Sequence, residues 1–183
     1  IQKELLQNSL KDHITGFYNR KYLDECLRTS NNFNCSSRNT AFMMIEVDRF
    51  KAVIDEFDYE IGDKVLVELA NVIKSIVPSD STCVQLTGYE MLILIPNTTE
   101  DRTYEMAKNI ISKFAKSEVM VNFYTNQTLK KTVCAGISLY PDHSDSKVQV
   151  IKNADIALQE AKNIARGTAL VFKKEIETSI ELF

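Results

Sequence analysis

Apolar residues recur at a period that changes along the chain, and each change marks an element. Ile1, Leu5, Leu6 and Leu10 sit near helical spacing in IQKELLQNSLK, so residues 1–11 read as an incoming linker helix that Asp12 to Gly16 breaks. A helix is predicted from Asn19 to about Thr29, followed by a polar Asn/Ser loop over residues 30–39. Ala41 to Val47 is a continuous apolar run suited to a buried strand, ending in the acids Glu46 and Asp48. From Glu60 to Val77, the residues Ile61, Val65, Leu66, Leu69, Val72, Ile73 and Ile76 keep the helical period until Pro78 stops it.

Val84 to Thr87 and Met91 to Ile95 read as two strands of a hairpin, with Gly88, Tyr89 and Glu90 at its tip. A helix to about Ala115 follows, its start marked by Thr98 and Asp101 at capping-box spacing. Val119 to Tyr124 and Leu129 to Leu139 are predicted strands around a Thr-Asn-Gln turn, Lys147 to Ile164 a third amphipathic helix, and Thr168 to Phe172 a last strand. Antiparallel hairpins interleaved with helices favour an α+β fold, a mainly antiparallel sheet flanked by helices, over a doubly wound one.

Composition changes this picture little. At 183 residues the chain fits one domain that needs no staples, and a net charge of -3 offers no basic field, so nucleic acid is an unexpected partner. The longest apolar runs fall far short of the roughly 20 residues of a membrane span, so no direct membrane contact is expected from this segment. Cys26, Cys35, Cys83 and Cys134 form no CxxC pair and read as thiols packed as small apolar groups in a reducing cytoplasm. The start at Ile1 and a helical pattern at the end suggest a piece of a longer protein, and VFKKEIETSIELF fits an outgoing helix over residues 173–183.

The candidate chemistry is carboxylate and cation together. Glu46 ends a buried strand, Glu90 lies at the hairpin tip, and Lys162 and Arg166 stand four apart on one face of a helix end. Acids beside basic groups suit a metal-bound polyphosphate, because phosphoryl transfer needs divalent ions near developing charge and cations on the other phosphates. Taken singly, each also reads as an ordinary solvated residue.

Read in order, Asp12-His-Ile-Thr-Gly-Phe-Tyr-Asn-Arg20 resembles the signature D-x-L-T-G-L-x-N-R of the GGDEF, or diguanylate cyclase, family. Ile45-Glu-Val-Asp-Arg-Phe-Lys51 resembles its metal strand L-D-I-D-x-F-K, and Ala52 to Leu66 its helix region K-x-I-N-D-x-x-G-H-x-x-G-D-x-x-L. Thr87-Gly-Tyr-Glu-Met91 takes the place of the G-G-D/E-E-F hairpin, while Cys134-Ala-Gly-Ile137 and Ala154 to Lys162 match S-I-G-V and A-D-x-A-L-Y-x-A-K. The resemblance covers residues 12–172. It implies a fold like the palm of nucleotide cyclases and polymerases, GTP as ligand, Mg2+ as cofactor, and a transient homodimer in which each 3'-hydroxyl attacks the partner's α-phosphate.

Carried over by position, the resemblance makes Glu46 a metal ligand and Glu90 the residual catalytic acid. It makes Arg49, Phe50, Lys51, Asp63, Gly88, Lys162 and Arg166 nucleotide-binding. The departures are specific. Tyr89 replaces a metal-ligating acid with a neutral phenol, Glu46 sets its carboxylate one methylene further out than Asp, and Mg2+ demands near-ideal ligands at about 2.0 to 2.1 Å. Thr87 replaces a glycine, and Ile54 replaces the Asn that reads guanine beside Asp63. Pro78 and Ser81 stand where an inhibitory R-x-x-D product site would be. The implied function is a degenerate, weak or inactive GGDEF domain of cyclic di-GMP signalling, holding little or no Mg2+ and acting as a nucleotide-binding or dimerising cytoplasmic module. It would serve an adjacent sensor and an EAL phosphodiesterase domain. The alternatives are an active cyclase or a purely structural interaction domain.

Overall fold

The computed structural model describes residues 9–28 and 39–173. Most of the expected linker helix, Cys35 and the expected outgoing helix beyond Lys173 therefore lie outside the described residues. Among the described residues, four helices and seven strands follow one another as α1 (Arg20–Arg28), β1 (Thr40–Val47), α2 (Phe50–Ile76), β2 (Thr82–Gln85), β3 (Glu90–Ile95), α3 (Glu100–Lys116), β4 (Val119–Asn122), β5 (Gln127–Leu129), β6 (Val133–Tyr140), α4 (Lys147–Ile164) and β7 (Ala169–Val171).

The central sheet has the order β2-β3-β1-β6-β7 and is antiparallel except for the parallel β6 and β7 pair. Strand β1 lies in the middle and is buried at all eight positions, which is why its sequence shows no alternation. Its odd residues Met43, Ile45 and Val47 join α2 and α3 in one core, with Val65, Leu69, Ile73, Ile110 and Phe114. Its even residues Phe42 and Met44 join Leu23 of α1 and Val150, Ala154, Leu158 and Ala161 of α4 on the opposite face. The α+β expectation is met, with two helices on each side of the sheet.

Several expected boundaries move for local reasons. The long helix begins at Phe50 and not Glu60, because Asp58 (φ 75°, ψ 176°) interrupts it and hides the turns before. Thr99, and not Thr98, caps α3, accepting from the Arg102 backbone N–H at 3.3 Å, while Thr98 is buried against Thr103 at 3.4 Å. The expected strand from Leu129 to Leu139 is two strands: β5 pairs with β4 in a separate ribbon, and β6 enters the main sheet after a break at Lys130 to Thr132. The hairpin also turns earlier than expected. Leu86 N–H donates to the Glu90 carbonyl at 2.8 Å, so Glu90 begins β3 and Gly88 (φ 65°) and Tyr89 form the tip. Among the described residues Cys26, Cys83 and Cys134 are free thiols, and burial pushes those of Cys83 and Cys134 up to about 11.

Asp58 gives a stability prediction. Its backbone occupies a region that is essentially glycine's, at a cost of about 1–3 kcal/mol, partly offset by its side chain accepting from Tyr59 N–H at 2.8 Å. The GGDEF helix pattern carries a glycine at this place. Asp58→Gly is expected to stabilise the fold by about 1 kcal/mol after the extra unfolded-state freedom of glycine is subtracted, raising Tm by about 2–4 °C. A calorimetric scan in which the variant melts below the parent would refute it.

Candidate functional site

The site lies at one end of the sheet, where β1 and β3 finish side by side. Glu46 and Glu90 are direct cross-strand partners, so their side chains leave the same face of the sheet. That face is covered by α4, which brings Lys162 over the strand end. The Lys162 ammonium donates to Glu46 Oε1 at 2.8 Å; the Glu46 side chain is 7% exposed and that of Lys162 35%. Glu46 Oε2 is buried with no hydrogen-bond partner. The hydrogen bond to Glu46 raises the Lys162 pKa above its ordinary value, outweighing the opposing effect of burial.

Glu90 is in the opposite position. Burial first, then repulsion from Glu46 and Asp155, raises its carboxyl above the ordinary 4.5, with Lys162 and Arg20 opposing. A carboxylate raised by folding favours the fold most below its unfolded pKa, and that contribution is lost as pH rises through the folded value. At neutral pH, then, the Glu90 charge works against the fold. Glu90→Gln is expected to melt above the parent at pH 7, with the gap closing below pH 4.5. Thermal scans showing the variant less stable at pH 7 would contradict this.

Tyr89 does not join this cluster as a ligand. Its ring stands against Phe50, centroids 5.2 Å apart and tilted by 33°, at the mouth of a pocket of about 400 Å³. Ile54, Tyr59, Asp63, Leu66 and Gly88 are among the residues that complete its largely apolar lining. Gly62 allows Ile54 to lie directly over it, since a Cβ there would overlap Ile54 Cδ1. Asp63 brings a carboxylate to this lining, as do Asp12 and Asp55, so the pocket joins flat apolar walls to hydrogen-bond acceptors. Phe50, Lys51, Asp63 and Gly88 thus line one pocket.

Two expected site residues are placed differently. Arg166 is not on the face of a helix with Lys162, because α4 ends at Ile164 and Ala165 is extended (φ -170°, ψ 161°). Arg166 lies instead in the turn before β7, beside Gly167 (φ 67°). Arg49 is the left-handed N-cap of α2 (φ 52°, ψ 42°), so Phe50 and Lys51 already belong to the helix. Two residues received no site role from the sequence, although Asp48 stood out there as an acid. Asp48 is 7% exposed and accepts from Thr132 Oγ1 at 2.6 Å and from Gly167 N–H at 2.9 Å. Burial first, then Arg166, lowers the Lys131 pKa below its ordinary value. Only the acid of Asp48 at a strand end gave a signal; Lys131 belongs to no motif.

Among the described residues no group of three or more His, Cys, Asp and Glu is arranged to hold a metal ion, and no helix is long and apolar enough to cross a membrane.

An antiparallel sheet with paired helices on each face, its carboxylates at the end of the central strands beside a hairpin, defines a palm-type α+β domain of the nucleotide cyclase kind. The family model described as "Diguanylate cyclase, GGDEF domain" matches residues 9–168, and the chain belongs to the GGDEF family of cyclic di-GMP signalling. It is 28% identical over 180 residues to the bifunctional diguanylate cyclase/cyclic di-GMP phosphodiesterase MucR of Pseudomonas aeruginosa, covering 98% of this chain and 26% of that one. It is 27% identical over 177 residues to diguanylate cyclase A of Treponema denticola, covering 94% of this chain and 47% of that one. The chain thus spans under half the length of these relatives. The GGDEF domain of TpbB (YfiN) from Pseudomonas aeruginosa, solved as an N-terminally truncated mutant, superposes with a TM-score of 0.79 at 27% identity, covering 93% of this chain and 99% of that one. DgcB of Caulobacter crescentus, solved in complex with c-di-GMP, shares the fold with a TM-score of 0.83 at 20% identity, covering 93% of this chain and 89% of that one.

Proposed function

We propose that this domain binds GTP or a related nucleotide without performing the cyclase reaction, and that it acts as a regulatory, dimerising module on a neighbouring domain. The observation that carries this is the Lys162 ammonium seated 2.8 Å from Glu46 Oε1, beside a hairpin whose third position is Tyr89. A two-ion phosphoryl-transfer site needs several carboxylate oxygens around each cation. Here one oxygen of Glu46 is already neutralised by a protein cation, its other oxygen is buried, and the tyrosine supplies no charge. These residues do not fit a two-ion cage, and Mg2+ is held weakly or not at all.

The pocket behind Phe50 and Tyr89 supports nucleotide binding: stacking surface with the Asp63 carboxylate accepts a purine, while Ile54 removes one group that would read guanine. The bifunctional name of MucR is consistent with a phosphodiesterase domain as the regulated neighbour. Calorimetric titration with GTP, paired with chromatography of a GTP and Mg2+ reaction, tests this reading. Binding in the micromolar to millimolar range with no cyclic di-GMP is expected. Accumulation of cyclic di-GMP that disappears in Glu90→Gln would make the domain a cyclase, and absence of binding at millimolar GTP would leave only a docking scaffold.

A further inference from the structure

The incoming segment meets the body of the domain at a pocket that shares no lining residue with the one behind Phe50 and Tyr89. Lys11 bridges to Tyr18, and Tyr18 in turn to Val84: its N–H donates to the Cys83 carbonyl at 3.0 Å, and its carbonyl accepts from Gln85 N–H at 2.7 Å. Where these segments reach the end of α2 there is a cavity of about 280 Å³. Two lysines, Lys11 and Lys74, and no acid line it. Lys74 belongs to the last turn of α2, where the helix dipole favours a cation, and its ammonium lies 5.2 Å from the Phe17 ring centroid. The Lys11 ammonium lies 5.7 Å from the Tyr18 ring centroid. Among the described residues neither lysine pairs with an acid. Ser79 and Ser81 also line the cavity, and Ser81 Oγ is buried with no hydrogen-bond partner.

We propose that this pocket binds a phosphoryl dianion, inorganic phosphate or the phosphate of a small organic ester, between Lys11 and Lys74. The aromatic rings hold the two ammonium groups in place without neutralising them, so two compact point charges face one cavity. The Lys74 charge acts on the Cys83 thiol, another lining residue, where it opposes the upward push of burial. An unpaired buried hydroxyl is costly, and an anion oxygen accepting from it would relieve that cost. At about 280 Å³ the cavity falls just below the roughly 300–1,000 Å³ of sites for drug-sized ligands, which favours a small anion. Pro78 and Ser81 line it too; an R-x-x-D product site would place its arginine and aspartate there, and this chain has neither. The charges come instead from two lysines outside every family motif. A bound anion ties the incoming segment to β2, the strand that leads into the hairpin.

The test is amide chemical-shift titration of the whole chain at constant ionic strength, with inorganic phosphate, glycerol phosphate and cyclic di-GMP as separate arms. Phosphate is expected to shift the amides of Gly16, Phe17 and Ser81 saturably. Lys11→Gln and Lys74→Gln are each expected to weaken it at least threefold. Lys108→Gln removes an α3 lysine that also lies over a ring, 5.4 Å from the Tyr104 centroid, and is expected to leave affinity unchanged. Tighter binding of glycerol phosphate identifies an organic phosphate as the ligand, equal or weaker binding the free ion, and either upholds the site. Circular dichroism checks folding; should one lysine variant fail, the other carries the same expectation. Parental phosphate affinity in a folded variant overturns the proposal, as do shifts that never saturate. So does tighter binding of cyclic di-GMP at these amides, which would make the pocket a product site. GTP binding is followed at Asp63 and Gly88 in the other pocket, so the two readings fail separately.

Discussion

Gly136→Ala is expected to yield no folded domain, or one destabilised by more than about 4 kcal/mol. Strand β6 passes so close beneath α4 that a Cβ at position 136 would overlap the Ala154 carbonyl oxygen and the Leu158 backbone nitrogen, with Leu158 Cα at 2.8 Å. All three are backbone atoms, so no rotamer change relieves the clash and the helix must lift from the sheet. Lifting it separates Val150, Ala154, Leu158 and Ala161 from Phe42 and Met44, which together form half of the core on that side. It would also withdraw Lys162 from Glu46. Expression followed by denaturant unfolding gives the answer: a variant as stable as the parent to within about 1 kcal/mol would mean that α4 does not rest on β6 as closely as described.

This glycine shows what the sequence makes legible. Its segment Cys134-Ala-Gly-Ile137 was recognisable by resemblance, yet only the three-dimensional approach of α4 explains why a side chain is excluded. The fold class was readable because long periodic runs, such as Ile61 to Ile76 and Val150 to Ala161, dominate local uncertainty. The beginning of α2 was not, since a single left-handed residue, Asp58, breaks the period that reveals helices, and nothing in the identity of an aspartate announces a positive φ. The strand after the Thr-Asn-Gln turn was read as one because apolar residues continue through it. Its division at Lys130 to Thr132 depends on Asp48, 84 residues away in sequence from Thr132.

The candidate site divides along the same line. Glu46 and Glu90 were visible because a strand end and a hairpin place them by local rules, whereas Phe50 and Asp63 were marked only by the resemblance. The partner of each cation was not, because it depends on where a helix stops: Lys162 is the last basic residue inside α4 and reaches the strand end, while two further residues carry Arg166 away. Charge spacing along a sequence assumes continuous helix, and Ala165 ends it.

Lys162→Met is the variant with the largest expected effect at the site itself. It would leave Glu46, whose side chain is 7% exposed, without its hydrogen-bonded cation, while Oε2 already lacks a partner. Breaking a buried pair from one side costs about 3–5 kcal/mol; with the lysine side about a third open to water, a loss of about 2–3 kcal/mol is expected. The loss arises from the stranded charge and not from packing, so adding Glu46→Gln should return most of it, because replacing both members of a buried pair is often close to neutral. Denaturant unfolding of the parent, the two single variants and the double variant measures the interaction as a cycle. The pH dependence has a definite sign: the folded pKa of Lys162 is raised, so the pair's contribution is complete below the ordinary 10.5 and fades as pH rises through the higher folded value. Parent and Lys162→Met should therefore differ fully at pH 7 and converge only in strongly alkaline buffer. If the double variant is no more stable than Lys162→Met, the lysine is not neutralising Glu46, and the carboxylate would be free to take the divalent ion that an active cyclase requires.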